Sequence, residues 1–181
     1  MDKLIRTGIV DIIKNNAALL RIPLRQKAKF EGWLKFELAH YLEQREMKNV
    51  EVESKVHHRR DRTDITFFYN GEPYSIELKT PNTNWRIQGI NTNCRPITKN
   101  IQSVIDDTKK LNSQNGIVAF VLFPIPVGDP RWEFYLDRIN EKTNLNLSKK
   151  ENCDLIDITL GENLSCSLLV CTFMSKRFHN W

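Results

Sequence analysis

The feature that most constrains the fold of this chain is the pair Asn70-Gly71, which separates two runs of alternating apolar residues. These runs are 64–69 (DITFFY) and 74–79 (YSIELK). Asn-Gly between such runs is the strongest short-range signal for a two-residue β-hairpin, because both residues tolerate positive φ. The sequence therefore predicts an antiparallel hairpin with a fixed register.

This register places three charged side chains on one face of the hairpin. Asp64 lies directly opposite Glu77, with Cβ atoms about 4.5–5.5 Å apart. Lys79 shares their face because it is two residues beyond Glu77. Two facing carboxylates repel each other unless a cation lies between them or one of them is protonated. We therefore predict that Asp64 and Glu77 bind Mg²⁺, with Mn²⁺ as a substitute, and that Lys79 orients or helps to deprotonate a water at the metal.

The alternative to a metal site is an ordinary surface salt bridge. An acidic residue two positions before a lysine arises easily by chance, and the chain has four such triplets. Two of them lie in or at the end of predicted helices, and a third lies on a weaker strand with no carboxylate predicted opposite. Only Glu77-Leu78-Lys79 ends an apolar strand and faces an aspartate.

Apolar periodicity predicts the other elements. Pro23 is expected to interrupt the helical pattern near the N-terminus. The continuous apolar run 117–123 is typical of a strand that is buried on both faces. We expect one α/β domain over 1–181, with a central mixed β-sheet flanked by helices, an N-terminal helix and C-terminal helix and strand additions. The predicted helices are 3–14, 28–46, 97–113 and 131–141, and the remaining strands are 50–56, 117–123, 155–160 and 165–173.

Asp64, twelve intervening residues and then Glu77-Leu78-Lys79 resemble the motif of the PD-(D/E)xK nuclease superfamily, which has the restriction-endonuclease-like fold. The predicted order of elements from about 28 to 123 is similar to the αβββαβ core of that family, so the resemblance covers roughly half of the chain. Thr63 stands where many members have proline. The resemblance implies a Mg²⁺-dependent endonuclease that hydrolyses DNA, in restriction, repair or phage defence.

The same resemblance implies that a glutamate of the first core helix completes the site. Glu31 lies on an apolar stripe of that helix with leucines, and Glu37 lies on a second stripe with aromatic residues. Glutamate on an apolar face is unusual without a partner. Both residues remain candidates, and solvated positions on the helix are the alternative for each.

Basic and polar residues flank the predicted site and suggest contacts with nucleic acid. The run 57–62 (HHRRDR) leads into Asp64, and its arginines could bind phosphates. The segment 80–96 is long for a compact domain and carries groups for stacking, base-edge and phosphate contacts. Solvated loops are the alternative for both segments. The candidate nucleic-acid-binding residues are Arg59, Arg60, Arg62, Trp85, Arg86, Gln88 and Arg95.

Composition constrains the class of protein less strongly than the hairpin and its charged residues do. The net charge of +5 permits an anionic partner such as DNA without requiring one. The four cysteines include no C-x₂-C pair, and Cys166 and Cys171 are expected on opposite faces of one strand. No apolar run approaches the roughly 20 residues of a membrane helix, and no signal peptide is evident.

We therefore expect a cytoplasmic protein without a membrane partner, and a homodimer if the protein cuts both strands of a palindrome. Two other classes of function stay open. One is a non-catalytic nucleic-acid-binding domain of the same fold, and the other is a protein-interaction domain.

Overall fold

Six strands form one mixed β-sheet in the computed structural model, which describes residues 1–55, 62–91, 96–111 and 115–175. The order across the sheet is β1-β2-β3-β4-β6-β5. Neighbouring strands are antiparallel except β3 and β4, which are parallel. The predicted α/β class with a central mixed sheet is confirmed. The strands are β1 (Lys48–Lys55), β2 (Arg62–Tyr69), β3 (Glu72–Lys79), β4 (Gly116–Ile125), β5 (Cys153–Gly161) and β6 (Leu164–Met174).

Helices cover both faces of this sheet. On one face, apolar residues of the first three helices form a first apolar cluster, which includes Leu34, Leu38, Ile76 and Leu78. On the other face, the fourth and fifth helices form a second apolar cluster, which includes Ile101, Val104, Phe120 and Leu136. The helices are α1 (Asp2–Asn15), α2 (Ala17–Gln26), α3 (Glu31–Glu43), α4 (Ile97–Lys110), α5 (Glu133–Thr143) and α6 (Lys149–Asn152), with a 3₁₀ turn at Pro130–Trp132.

The hairpin of β2 and β3 has the predicted register. Tyr69 pairs with Glu72, and Thr66 pairs with Ser75. The turn residues Asn70 and Gly71 have φ values of 52° and 80°, as a type I′ turn requires. The alternation of side chains along both strands is therefore the one that the sequence predicts.

Strand β4 is buried on both faces, as its continuous apolar run predicts. All ten of its residues are buried. Ile117 and Ala119 belong to the first apolar cluster, whereas Val118 and Phe120 belong to the second. This strand therefore anchors the helices of both faces to one sheet.

The N-terminal region differs from the sequence prediction, whereas the predicted C-terminal strands are present. Pro23 lies inside α2 rather than breaking the helical region, and α2 ends shortly afterwards at Gln26, where the next residue, Lys27, has a φ of 52°. The C-terminal strands are integral to the sheet, since β6 pairs with β4. Cys166 and Cys171 lie in opposite clusters, as predicted.

No helix in the described part of the chain is long and apolar enough to span a membrane.

Two helical glycines provide a matched test of this packing. A Cβ atom at Gly8 would lie 2.6 Å from the Tyr41 ring, whereas one at Gly32 would have no heavy atom within 4 Å. We predict that Gly8→Ala lowers the free energy of unfolding, because overpacking costs about 1–3 kcal/mol. Gly32→Ala should raise it by about 0.5–1 kcal/mol through helix propensity. Urea unfolding of both variants checks this, and equal effects would contradict the close approach of α1 to α3.

Candidate active site

Asp64 ends the regular pairing between β2 and β3. The paired residues run from the turn to Ile65 and Ile76. Beyond them, Asp64 Oδ2 accepts a hydrogen bond of 2.8 Å from the backbone N–H of Leu78. The Asp64 carboxylate is thereby fixed beside the end of β3, close to Lys79.

Lys79 lies between carboxylates from three other elements. Its Nζ atom is 3.7 Å from Glu31 Oε1, 3.7 Å from Asp64 Oδ2 and 3.3 Å from Asp107 Oδ2. Burial alone would lower the pKa of Lys79, but the negative charges of Glu31, Asp107 and Asp64 raise it above its usual value. The ammonium group therefore stays protonated, which suits it to orient a water or a phosphate oxygen rather than to act as a base.

Glu77 is the most deeply buried carboxylate of the site, with an exposed fraction of 3%. Burial raises its pKa to about 7, with a further increase from Asp64 and Asp107 and an opposing effect of Lys110. Lys110 Nζ lies 3.0 Å from Glu77 Oε1 and also donates to the backbone carbonyl of Arg62 at 3.1 Å. Near neutral pH this carboxyl group is therefore protonated in a substantial fraction of molecules.

Lys35 of α3 forms an ion pair with Asp64, the other predicted metal ligand. Its Nζ atom is 2.8 Å from Asp64 Oδ1 and 3.2 Å from Glu53 Oε1. Burial alone would raise the pKa of Asp64, but the bonds from Lys35 and the Leu78 N–H, with the charge of Lys79, lower it. Asp64 is therefore ionised at neutral pH, in contrast to Glu77.

Of the two candidate glutamates on α3, the structure brings Glu31 to the site. Glu31 is the first residue of the helix, and its Oε2 accepts a hydrogen bond of 3.3 Å from the backbone N–H of Thr80. Glu37 is six residues further along, which turns it by about two thirds of a turn around the helix axis. It makes no ion pair or side-chain hydrogen bond with any residue that the structure describes.

The sequence prediction missed three members of the site, Lys35, Asp107 and Lys110. Lys35 follows Glu31 by four residues, so both lie on one face of α3. Asp107 and Lys110 are three apart at the end of α4 and share a face in the same way. We refer below to Glu31, Lys35, Asp64, Glu77, Lys79, Asp107 and Lys110 as the charge cluster.

The predicted nucleic-acid-binding residues have different environments. Arg59, Arg60 and Arg95 lie outside the described residues. Arg62 is exposed and pairs with Glu53 at 3.2 Å. Arg86 and Gln88 are exposed, and neither belongs to the charge cluster.

Trp85 is largely buried, with an exposed fraction of 8%. The Arg131 guanidinium lies 4.7 Å from the centre of its ring, and the Tyr135 ring lies 6.1 Å away. Its ring therefore packs inside the second apolar cluster and offers little free surface for the stacking that the sequence suggests.

The carboxylates of the charge cluster fit a magnesium ion in donor type. In the described part of the chain, no group of three or more carboxylate, imidazole or thiolate side chains has the spacing of a complete metal-ligand set. Mg²⁺, however, usually binds one or two carboxylates and retains several waters. Burial is the main cause of the raised pKa of Glu77, and the negative charges of Asp64 and Asp107 raise it further, so a cation at this position would favour the ionised form. Lys35 and Lys110 occupy oxygens of these ligands, so at least one lysine would move on binding.

Comparison of the chain with protein-family models, with curated proteins and with solved structures gave no match. The functional conclusion therefore depends on the geometry of the charge cluster and on the resemblance of its motif.

The pKa of Glu77 leads to a prediction about stability. A carboxyl group whose pKa rises from 4.5 to about 7 on folding favours the folded state below pH 4.5, and this contribution is lost as pH rises through 7. Glu77→Gln removes this dependence. We predict that the difference in free energy of unfolding, Glu77→Gln minus wild type, becomes more positive by about 1–3 kcal/mol between pH 5 and pH 8, because only the wild type loses stability there.

Urea unfolding in EDTA measures this difference. Glu37→Gln is the matched control, because it makes the same chemical change at a glutamate of α3 that lies outside the charge cluster. A pH-independent difference for Glu77→Gln would show that the Glu77 carboxyl does not titrate near neutrality.

Proposed function

We propose that this protein is a Mg²⁺-dependent endonuclease that hydrolyses phosphodiester bonds in DNA. The observation that carries the proposal is the convergence of Asp64, Glu77 and Lys79 with Glu31 at the end of β3. These residues come from α3, β2 and β3, so their convergence depends on the tertiary fold. The resemblance of the same residues to the PD-(D/E)xK motif supplies the substrate class.

The topology supports the same proposal. From α3 to β4 the elements are one helix, three antiparallel strands, a second helix and a strand parallel to β3. We propose that this unit is a restriction-endonuclease-like αβββαβ core. The charge cluster lies where β3 ends and where α3 begins, so the fold places Glu31 next to Lys79.

In this proposal Asp64 and Glu77 hold the metal ion, which would activate a water and stabilise negative charge on a phosphoryl oxygen. Lys79 remains protonated and donates hydrogen bonds to the attacking water or to a phosphate oxygen. Glu31 and Asp107 hold the Lys79 ammonium in place through their negative charges. The Thr80 N–H fixes the Glu31 carboxylate in turn.

Cutting of supercoiled plasmid tests the catalytic role of Lys79. We expect nicking or linearisation with Mg²⁺ or Mn²⁺, none in EDTA, and a loss of about 10²–10³-fold in Lys79→Ala, as for other preorganised donors. Lys48→Ala is the matched control, since Lys48 is an exposed lysine that also ends an acidic-x-lysine triplet. Equal rates in Lys79→Ala and wild type would overturn the proposed role.

A second pair of variants tests which glutamate of α3 acts. Glu31→Gln removes a charge next to Lys79, so we expect a loss of at least tenfold in the cutting rate. Glu37→Gln makes the same chemical change on the same helix and should cut at the wild-type rate. The plasmid assay measures both, and a larger loss in Glu37→Gln would contradict the assignment.

A non-catalytic nucleic-acid-binding domain is the second candidate, and one observation favours it. Lys35 and Lys110 neutralise the two predicted metal ligands at 2.8 and 3.0 Å, as in a site held together without metal. Calorimetric titration with Mn²⁺ separates the candidates. We expect binding by wild type that is lost in Asp64→Asn, whereas DNA binding in EDTA by a protein that binds no metal would favour the second candidate.

A further inference from the structure

A cleft of about 410 Å³ opens directly beside Lys79. One wall comes from the segment that leads into α3, and the opposite wall comes from the first half of α4. Because Lys79 and Glu31 line the same cleft, it leads to the charge cluster from outside. The lining residues are Lys29, Glu31, Gly32, Lys79, Lys99, Asn100 and Ser103.

Lys29 and Lys99, the two cleft lysines outside the charge cluster, differ from the lysines of that cluster in having no carboxylate partner among the described residues. Lys35, Lys79 and Lys110 each pair with a carboxylate within 4 Å. Lys29 and Lys99 are exposed, and neither side chain has an ion pair or hydrogen bond with a described residue. The cleft therefore carries two uncompensated positive charges, one on each wall.

Buried hydrogen bonds hold the two walls together. Asn82 donates to the backbone carbonyl of Lys27 at 2.8 Å, two residues before Lys29. Asn100 on α4 donates to both the backbone oxygen and the side-chain oxygen of Asn82 at 2.8 Å. Lys29 and Lys99 are therefore attached to segments whose separation is fixed through one buried side chain.

Gly32 lines the cleft between Glu31 and Lys79 without a side chain of its own. It lies in the first turn of α3, where glycine costs about 1 kcal/mol relative to alanine. A Cβ atom there would meet no heavy atom within 4 Å. Packing within the protein therefore does not require glycine at this position, and a longer side chain there would extend into the cleft that Gly32 and Lys79 line.

We propose that this cleft binds the DNA backbone next to the bond that is cut, with Lys29 and Lys99 each contacting a phosphate. The inference rests on the proposed function and names the surface by which the substrate strand reaches Lys79. Phosphate is the matching ligand because the cleft presents two free ammonium groups, and backbone contacts position a nucleic acid without reading its sequence.

The salt dependence of DNA binding tests this assignment independently of cutting. In EDTA, fluorescence anisotropy of a labelled duplex gives the slope of log affinity against log salt concentration. We expect Lys29→Gln and Lys99→Gln each to reduce the magnitude of that slope by about 0.9 and the double variant by about 1.8. Lys150→Gln is the matched control. Lys150 is an exposed lysine on α6, which leads into the edge strand β5 and does not line the cleft.

Gly32 supplies a steric test of the same cleft. Gly32→Leu should fill the space and weaken duplex binding at least tenfold, whereas Gly32→Ala should change it less than threefold. Thermal unfolding of each variant establishes that it is folded. Wild-type binding by Gly32→Leu would overturn the inference.

The outcomes separate this inference from the proposed function. If wild type cuts DNA but the lysine variants keep its salt slope, the cleft assignment fails and the nuclease proposal stands. If wild type binds without cutting and the slopes fall as expected, the cleft assignment holds and the catalytic proposal fails. If wild type does not bind DNA, the cleft assignment fails.

Discussion

The ion pairs of Lys79 hold the candidate site together. Glu31, Asp64 and Asp107 come from three different elements, and each has an oxygen within 4 Å of the Lys79 ammonium. At an effective dielectric constant of about 20, unit charges 4 Å apart interact by roughly 4 kcal/mol. Carboxylates brought this close would repel one another without an intervening cation, so the site depends on Lys79 for its assembly as well as for its proposed chemistry.

The position of Lys79 depends in turn on the two apolar clusters. Leu78 points into the first cluster, so its neighbours Glu77 and Lys79 must point to the other face of β3. Strand β4 pairs with β3 in parallel and contributes to both clusters. The packing of α3 and α4 against this fixed pair of strands brings Glu31 and Asp107 to the same ammonium group. Apolar packing therefore positions charges that could not assemble by attraction alone.

The sequence predicts the part of the site that lies within one hairpin. The turn Asn70-Gly71 determines the register, and the register determines that Asp64, Glu77 and Lys79 share a face. Lys35 and Lys110 could not be predicted in this way. Their helices have clear apolar stripes, but a charged residue beside such a stripe can point to solvent or to the sheet, and only the docked helix decides. Glu31 and Glu37 were indistinguishable for the same reason.

The environment of Trp85 shows a second limit of the sequence. A long polar segment with a tryptophan suggests a surface loop with a stacking ring, but Arg131 and Tyr135 cover that ring. These partners lie some fifty residues along the chain, so no local pattern indicates them. In the same segment Asn82, an ordinary polar residue by sequence, joins the connection between α2 and α3 to α4 through buried hydrogen bonds. Contacts between distant segments therefore decide which polar residues are structural and which remain free for ligands.

The lysines of the charge cluster are not equally able to make way for a metal ion. Lys79 has an exposed fraction of 22% and three carboxylate partners, whereas Lys110 has an exposed fraction of 33% and one carboxylate partner among the described residues. When Lys110 turns towards solvent it gives up one carboxylate and the backbone carbonyl of Arg62, whereas Lys79 would give up three carboxylates. The departure of Lys110 also frees the Glu77 oxygen that the proposed metal would need. Lys35 keeps Glu53 as a partner when it releases Asp64. For the proposed metal site we therefore expect Lys110 to be displaced first, with Lys79 remaining between Glu31 and Asp107, where the proposed reaction requires it.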